Sequence, residues 1–84
     1  MLRISEMDNG NGHVVLKLEG RLIGPWVGEL QSASERILDN GKPLKLDLAE
    51  VSFVDREGVR LLREFGRRQI ALERCSPFIM EELK

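Results

Sequence analysis

Residues 46–62 read LDLAEVSFVDREGVRLL, and this stretch decides how the chain folds. Apolar and polar residues alternate over residues 44–48, and the apolar pattern continues through 51–54, which is typical of a central, mostly buried strand. Asp55 ends this strand and is well placed to cap the free N–H groups of a helix predicted over residues 56–69. The apolar face of that helix is predicted to consist of Gly58, Val59, Leu62, Phe65 and Gly66.

The sequence before this stretch predicts a β-hairpin followed by a helix. Residues 2–6 and 13–19 show strand-like patterns, and the DNGNG segment between them supplies the Asn and Gly residues that hairpin loops favour. Pro25 suits a first helical turn, and apolar residues then recur at helical spacing. Asn40 and Gly41 are predicted to end this helix.

The sequence after the stretch predicts a short strand at residues 70–72 and a last helix that opens at Ser76 and Pro77. The predicted order of elements is therefore β-β-α-β-α-β-α. Strands joined through a helix run parallel by right-handed crossovers. We therefore expect an α/β fold, with one small domain over residues 1–84. Its sheet is predicted to be mixed and mostly parallel, with about four strands, an N-terminal hairpin and helices packed on it.

Composition excludes several classes of function. The chain has 84 residues, of which 42% are hydrophobic and 32% charged, and its net charge of −1 gives no bulk attraction to nucleic acid. A single cysteine, Cys75, and a single histidine, His13, exclude an internal disulfide and a multi-histidine metal site. Apolar runs such as residues 14–16 are too short for a signal sequence or a membrane span. We expect a cytoplasmic protein without cofactor, metal or membrane insertion.

Residues 46–62 resemble the signature of the STAS domain, the module of bacterial anti-sigma factor antagonists. The match runs from Asp47 and Leu48 through Val51 and Phe53 to Asp55, and it ends in the glycine at 58 and the leucine at 62. Residues 18–22 look like another strand end of the family. The resemblance implies a non-catalytic protein-interaction module in bacterial signalling and transcription regulation.

Glu57 occupies the position at which the resemblance implies a switch. In phosphorylatable STAS domains the residue before the glycine is a serine or threonine, and a partner kinase modifies it to turn off binding to an anti-sigma factor. Glu57 has no hydroxyl, and neither Arg56 nor Ser52 is a substitute. Glutamate carries about −1, against about −1.5 to −2 for phosphoserine. The module is then locked off, or its partner accepts an acid, or the acid only stabilises the first helical turn.

Four arginines are predicted to form a stripe on the helix of residues 56–69, because they are spaced by four, three and four. This stripe is a solvated, partly paired face or a surface for an acidic partner, and Glu64 is predicted to pair with the nearby Arg68. The resemblance implies that this helix and the loop before it bind the partner. The predicted partner-binding residues are Asp55, Arg56, Glu57, Gly58, Arg60, Arg63 and Arg67.

The resemblance leaves two kinds of partner open. One is an anti-sigma factor or a related serine kinase; the alternative is an ABC-type lipid transporter, of which the chain would be a structural STAS-type subunit. Similar domains usually carry a further strand and a longer last helix, so the domain is expected to be shortened at its C-terminus. A less covered sheet edge would then allow a homodimer.

The remaining candidate residues favour structural roles. Asp47 and Asp55 lie in different elements, so hydrogen bonding and capping are favoured over acid–base catalysis. Cys75 is interpreted as a small apolar filler and His13 as structural. Trp26 is expected to line the core or a groove, with a binding hot spot as the alternative. We predict no catalytic residues.

Overall fold

The computed structural model describes residues 2–8 and 12–83, and within these ranges the elements follow the predicted order. The elements are β1 (Leu2–Asp8), β2 (Val14–Leu22), α1 (Pro25–Asp39), β3 (Leu44–Val54), α2 (Arg56–Arg67), β4 (Ala71–Glu73) and α3 (Pro77–Leu83). The strands form one sheet in the order β1-β2-β3-β4. β1 and β2 are antiparallel, whereas β2, β3 and β4 are parallel, which confirms the predicted mixed α/β fold. Part of the predicted hairpin loop, residues 9–11, lies outside the described residues.

The hydrophobic core lies between one face of the sheet and the three helices. Alternate residues of β2 and β3, such as Leu16 and Leu46, are almost completely buried, as the period of two in a strand requires. Leu30 of α1, Phe65 of α2 and Ile79 of α3 belong to the same cluster. All three helices therefore contribute side chains to the same core. No helix within the described ranges is long and apolar enough to span a membrane.

The local signals at the helix ends act as predicted. Pro25 lies in the first turn of α1, whose last residue, Asp39, precedes the predicted Asn40 and Gly41. Ser76 caps α3, because its hydroxyl accepts a hydrogen bond of 3.3 Å from the Ile79 N–H.

The structure corrects the predicted bounds and the predicted face of α2. The helix ends at Arg67, two residues before the predicted end, and β4 begins one residue late. Its buried residues are Gly58, Leu61, Leu62 and Phe65, whereas Gly66 is exposed and Val59 is only half-buried. At about 100° per residue, positions 59 and 66 lie roughly 90–110° from the centre of the buried stripe. The predicted apolar face is therefore offset to one side of the observed buried stripe.

Candidate functional site

Asp55 fixes the junction between β3 and α2. One oxygen of its carboxylate accepts a hydrogen bond of 2.8 Å from the Gly58 N–H, and the other accepts one of 3.0 Å from the Gly24 N–H. Its own N–H donates to the carbonyl oxygen of Leu22 at 3.1 Å. The hydrogen bonds from Gly24 and then Gly58 hold the pKa of Asp55 below its ordinary value. The predicted cap is confirmed, and it joins the end of β2 to the starts of α1 and α2.

Gly58 allows the first turn of α2 to approach the ends of β2 and β3. A Cβ atom on Gly58 would lie 2.6 Å from Cγ1 of Val54 and 2.8 Å from the carbonyl oxygen of Leu22. Both distances are far shorter than ordinary van der Waals contact. The glycine of the motif is thus required by packing, since no other residue type fits at this distance.

Glu57 lies next to this tightly packed junction but points away from it. Its side chain is 63% exposed, and one carboxylate oxygen lies 3.5 Å from Nη1 of Arg60. An exposed ion pair of this kind is weak, with a free energy of about 0–1 kcal/mol. The position is therefore accessible from solvent, while its backbone is fixed by the neighbouring Asp55 cap.

The arginine stripe is exposed along its length, yet its members have different contacts. Arg67 pairs with Glu64 at 3.4 Å, so the predicted pairing of Glu64 with Arg68 is wrong. Arg68 instead forms an ion pair with Glu35 of α1. The sequence analysis missed this contact because the two residues are far apart in the sequence. The first two arginines of the stripe, Arg56 and Arg60, remain at the start of α2 beside Glu57.

Arg63, the third arginine of the stripe, holds the end of α3. Its guanidinium donates to the carbonyl oxygens of Glu82 at 2.9 Å and Leu83 at 3.4 Å. The last carbonyl groups of a helix have no intrahelical partner, so a cationic donor stabilises them. Arg63 thus fixes α3 beside α2, a contact that the sequence did not reveal.

Phe53 faces solvent although it belongs to the inner strand β3. Register shifts interrupt the pairing of β2 with β3 between Lys17 and Glu19 and again after Gly20. Beyond Leu48 the strand therefore buries only every third residue, and Phe53 is 45% exposed. The expectation of a mostly buried strand is wrong for this half of β3.

Phe53 lines a groove of about 650 Å³ between the end of β3, α2 and α3. Val59 and Phe78 supply further apolar surface, and Arg56, Arg60 and Arg63 lie along the same groove. With Asp55, the groove therefore brings four of the seven predicted partner-binding residues beside two phenylalanines that the sequence analysis missed. The break in alternation at Ala49 and Glu50 is the one sequence signal that could have indicated the outward turn of Phe53.

A family model of the STAS domain matches residues 5–74. The chain belongs to the STAS domain family. Comparison with curated protein sequences finds no match.

Solved structures resemble this STAS domain in fold. The anti-sigma factor antagonist SpoIIAA in its unphosphorylated form is 21% identical, with a TM-score of 0.72, and the match covers 94% of this chain and 79% of that one. An uncharacterised DUF3478-family protein with a SpoIIAA-like fold, from Shewanella loihica PV-4, is 12% identical with a TM-score of 0.62. That match covers 92% of this chain and 69% of the other. At these identities the likeness shows the fold alone.

Asp47 forms a second polar contact of the STAS domain, on the sheet face opposite the core. It is 6% exposed, pairs with the guanidinium of Arg74 and accepts a 3.0 Å hydrogen bond from the Ala49 N–H. Burial opposes ionisation of Asp47, but the hydrogen bonds from Arg74 and Ala49 outweigh it and lower its pKa. Asp47 and Asp55 are thus each engaged separately, in accordance with the predicted hydrogen-bonding roles.

Two further candidate residues of the STAS domain pack against the core. Trp26 and Cys75 are partly buried there, and burial raises the pKa of the Cys75 thiol. Nδ1 of His13 is buried without a hydrogen-bond partner among the described residues. Within those residues no group of three or more His, Cys, Asp or Glu is arranged to hold a metal ion.

Proposed function

We propose that this STAS domain is a non-catalytic protein-interaction module of the anti-sigma factor antagonist type. It docks on a cytoplasmic partner protein through residues 52–58 and the exposed side of α2. The observation that carries the proposal is the contrast at the start of α2, where Asp55 and Gly58 fix the backbone while Arg56 and Glu57 face solvent. A rigid backbone with exposed charged side chains favours binding, because little conformational entropy is lost on docking.

Glu57 gives this surface a fixed negative charge. The similar protein SpoIIAA has an unphosphorylated form, which implies a phosphorylated one. A carboxylate at this position carries less charge than a phosphate and cannot be phosphorylated, so the domain is proposed to bind a partner that accepts an acid there. We propose that binding by this domain is independent of phosphorylation at position 57.

Affinity purification of the tagged chain from its native cytoplasm at low salt, with mass spectrometry, tests the proposed function. We expect recovery of an anti-sigma factor with a kinase-type ATPase fold. Recovery of ABC-type transporter subunits instead would contradict this proposal and support the structural-subunit alternative. Recovery of the chain alone would favour the homodimer.

Glu57→Ser tests the role of position 57 with the recovered partner. The new hydroxyl lies on an exposed first turn, so we expect phosphorylation by the partner kinase and a change of several-fold in affinity. Glu57→Ala is the matched control, because it removes the same charge without adding an acceptor. Absence of labelling together with unchanged affinity in both variants would reduce Glu57 to a helix-stabilising acid.

A further inference from the structure

The groove beside α2 concentrates apolar surface that the fold itself does not use. Among the described residues four large apolar side chains are exposed, at 45–55%, and they are Met7, Phe53, Phe78 and Met80. Phe53 and Phe78 line this groove together, with the half-buried Val59 beside them. Aromatic side chains exposed in a concave site are typical anchoring points for a partner's apolar side chain.

The accessible charge along the groove is basic. Arg56 has no hydrogen-bond or ion-pair partner among the described residues, and Arg60 has only the exposed 3.5 Å contact with Glu57. Asp55 also lies along the groove, but both of its oxygens already accept hydrogen bonds from backbone N–H groups. Among the described residues that line the groove, Glu82 is the one other acid. Two exposed guanidinium groups therefore face an incoming ligand at the start of α2.

We propose that this groove binds an acidic segment of the partner protein that also carries a large apolar side chain. The apolar side chain lies between Phe53 and Phe78, and the carboxylates of the segment pair with Arg56 and Arg60. Burial of the apolar side chain supplies affinity, while the charges set orientation and the rate of encounter. This inference rests on the proposed function, and it adds the chemistry of the partner.

Arg63 has a different task in this proposal. Its guanidinium donates to the carbonyl oxygens of Glu82 and Leu83, so it fixes the helix that carries Phe78. We therefore treat Arg63 as a positioning residue. Arg67 lies further along α2, beside a separate depression, and is outside the proposed contact.

Fluorescence anisotropy with a defined peptide tests the inference on the full chain. The probe has a central phenylalanine flanked by glutamates, and two matched peptides replace either the glutamates by lysine or the phenylalanine by serine. We expect the probe to bind about tenfold more tightly than either matched peptide. Chemical-shift changes in ¹⁵N spectra should centre on residues 53–60 and 77–82.

Paired variants locate the binding surface. Two double variants should each weaken probe binding about tenfold. One combines Arg56→Glu with Arg60→Glu, and the other combines Phe53→Ser with Phe78→Ser. The controls are Arg36→Glu, whose side chain is 71% exposed on α1, and Met7→Ser, at a residue 52% exposed on β1; both should bind the probe unchanged. All of these side chains are exposed, so thermal melting should show every variant folded.

Several results would overturn the inference. They are equal binding of the lysine peptide, chemical-shift changes centred away from the groove, stronger binding of a single-stranded oligonucleotide at the same residues, and self-association through the groove.

Failure of the proposed function would give a different set of results. If a partner is recovered and the groove variants capture it undiminished, the function stands and this inference falls. If the probe binds the groove but no partner is recovered, the inference stands without the function.

Discussion

Two aspartates tie distant parts of this domain together, and they do so in different ways. Asp55 accepts from two backbone N–H groups, those of Gly24 and Gly58. Asp47 accepts from the backbone of Ala49 but depends on the side chain of Arg74, which is 69% exposed, for its contact with the segment after β4. Backbone donors are placed by the path of the chain, whereas a long side chain must lose rotamer freedom to stay in place. The Asp55 end of the sheet is thus the more rigidly held, and it carries the candidate surface.

Gly58→Ala, at the rigidly held Asp55 end of the sheet, should have the largest effect on the stability of the domain. The added methyl group would overlap with Val54 and with the carbonyl oxygen of Leu22, so we expect a loss of about 2–3 kcal/mol in the free energy of unfolding, measured with urea. Gly66→Ala is the matched control in the same helix, since a Cβ there meets no atom of the described residues within 4 Å. That change should be neutral or stabilise by up to about 1 kcal/mol. Equal effects of the two substitutions would refute the close approach at Gly58.

Asp55→Ala should have the next largest effect, about 1–2 kcal/mol of destabilisation, because two backbone donors lose their acceptor. Glu57→Gln, two residues away and exposed, should change stability by less than about 0.5 kcal/mol. A result in which Glu57→Gln costs as much as Asp55→Ala would remove the distinction between the packed and the exposed side of this turn.

The pH dependence of stability in the wild type and in Asp55→Ala sharpens this prediction. The pKa of Asp55 is lower in the folded chain than its ordinary value of 3.8, so the unfolded state takes up the proton more readily. Its contribution to stability is therefore present above about pH 4 and is lost as the pH falls through the folded pKa. Urea unfolding at neutral and acidic pH should show the stabilities of wild type and Asp55→Ala converging in acid. A constant difference would contradict the lowered pKa.

Arg74→Gln tests the contact made by the other aspartate. Without the guanidinium, only the hydrogen bond from Ala49 and the charge of Lys17 still oppose the effect of burial on Asp47, so the pKa of Asp47 should rise. Carboxyl ¹³C titration by NMR measures this change, with the pKa of Asp55 as an internal control that should stay constant. An unchanged Asp47 pKa would show that Arg74 contributes nothing to the contact.

Sequence reasoning succeeded where the signals were local. The order of elements, the Asp55 cap and the Ser76 cap followed from periodicity and from single residue types at helix ends. The exposed arginine stripe on α2 followed from helical spacing in the same way. These features depend on residues within a few positions of one another, which a single sequence displays directly.

The missed features depend on contacts between distant residues. The pairing of Arg68 with Glu35 spans 33 positions, and the contact of Arg63 with α3 spans about 20. Phe53 turns outward because β3 changes register against β2, which is a property of two strands together. The groove could not be predicted from the sequence for this reason, although the sequence contains both of its phenylalanines.

Because α3 is short, the groove exists only while this helix stays folded and docked. A helix of seven residues is too short to persist alone in water, so α3 exists only while Ile79, 1% exposed, stays docked in the core and Arg63 holds its last carbonyl groups. Local unfolding of this segment is therefore easier than unfolding of the domain. Each opening removes Phe78 from the groove, and the apparent affinity for a ligand falls in proportion to the closed population. In the proposed mode of binding, the stability of one short helix thus sets the affinity for a partner that contacts neither Ile79 nor the last carbonyl groups of α3 directly.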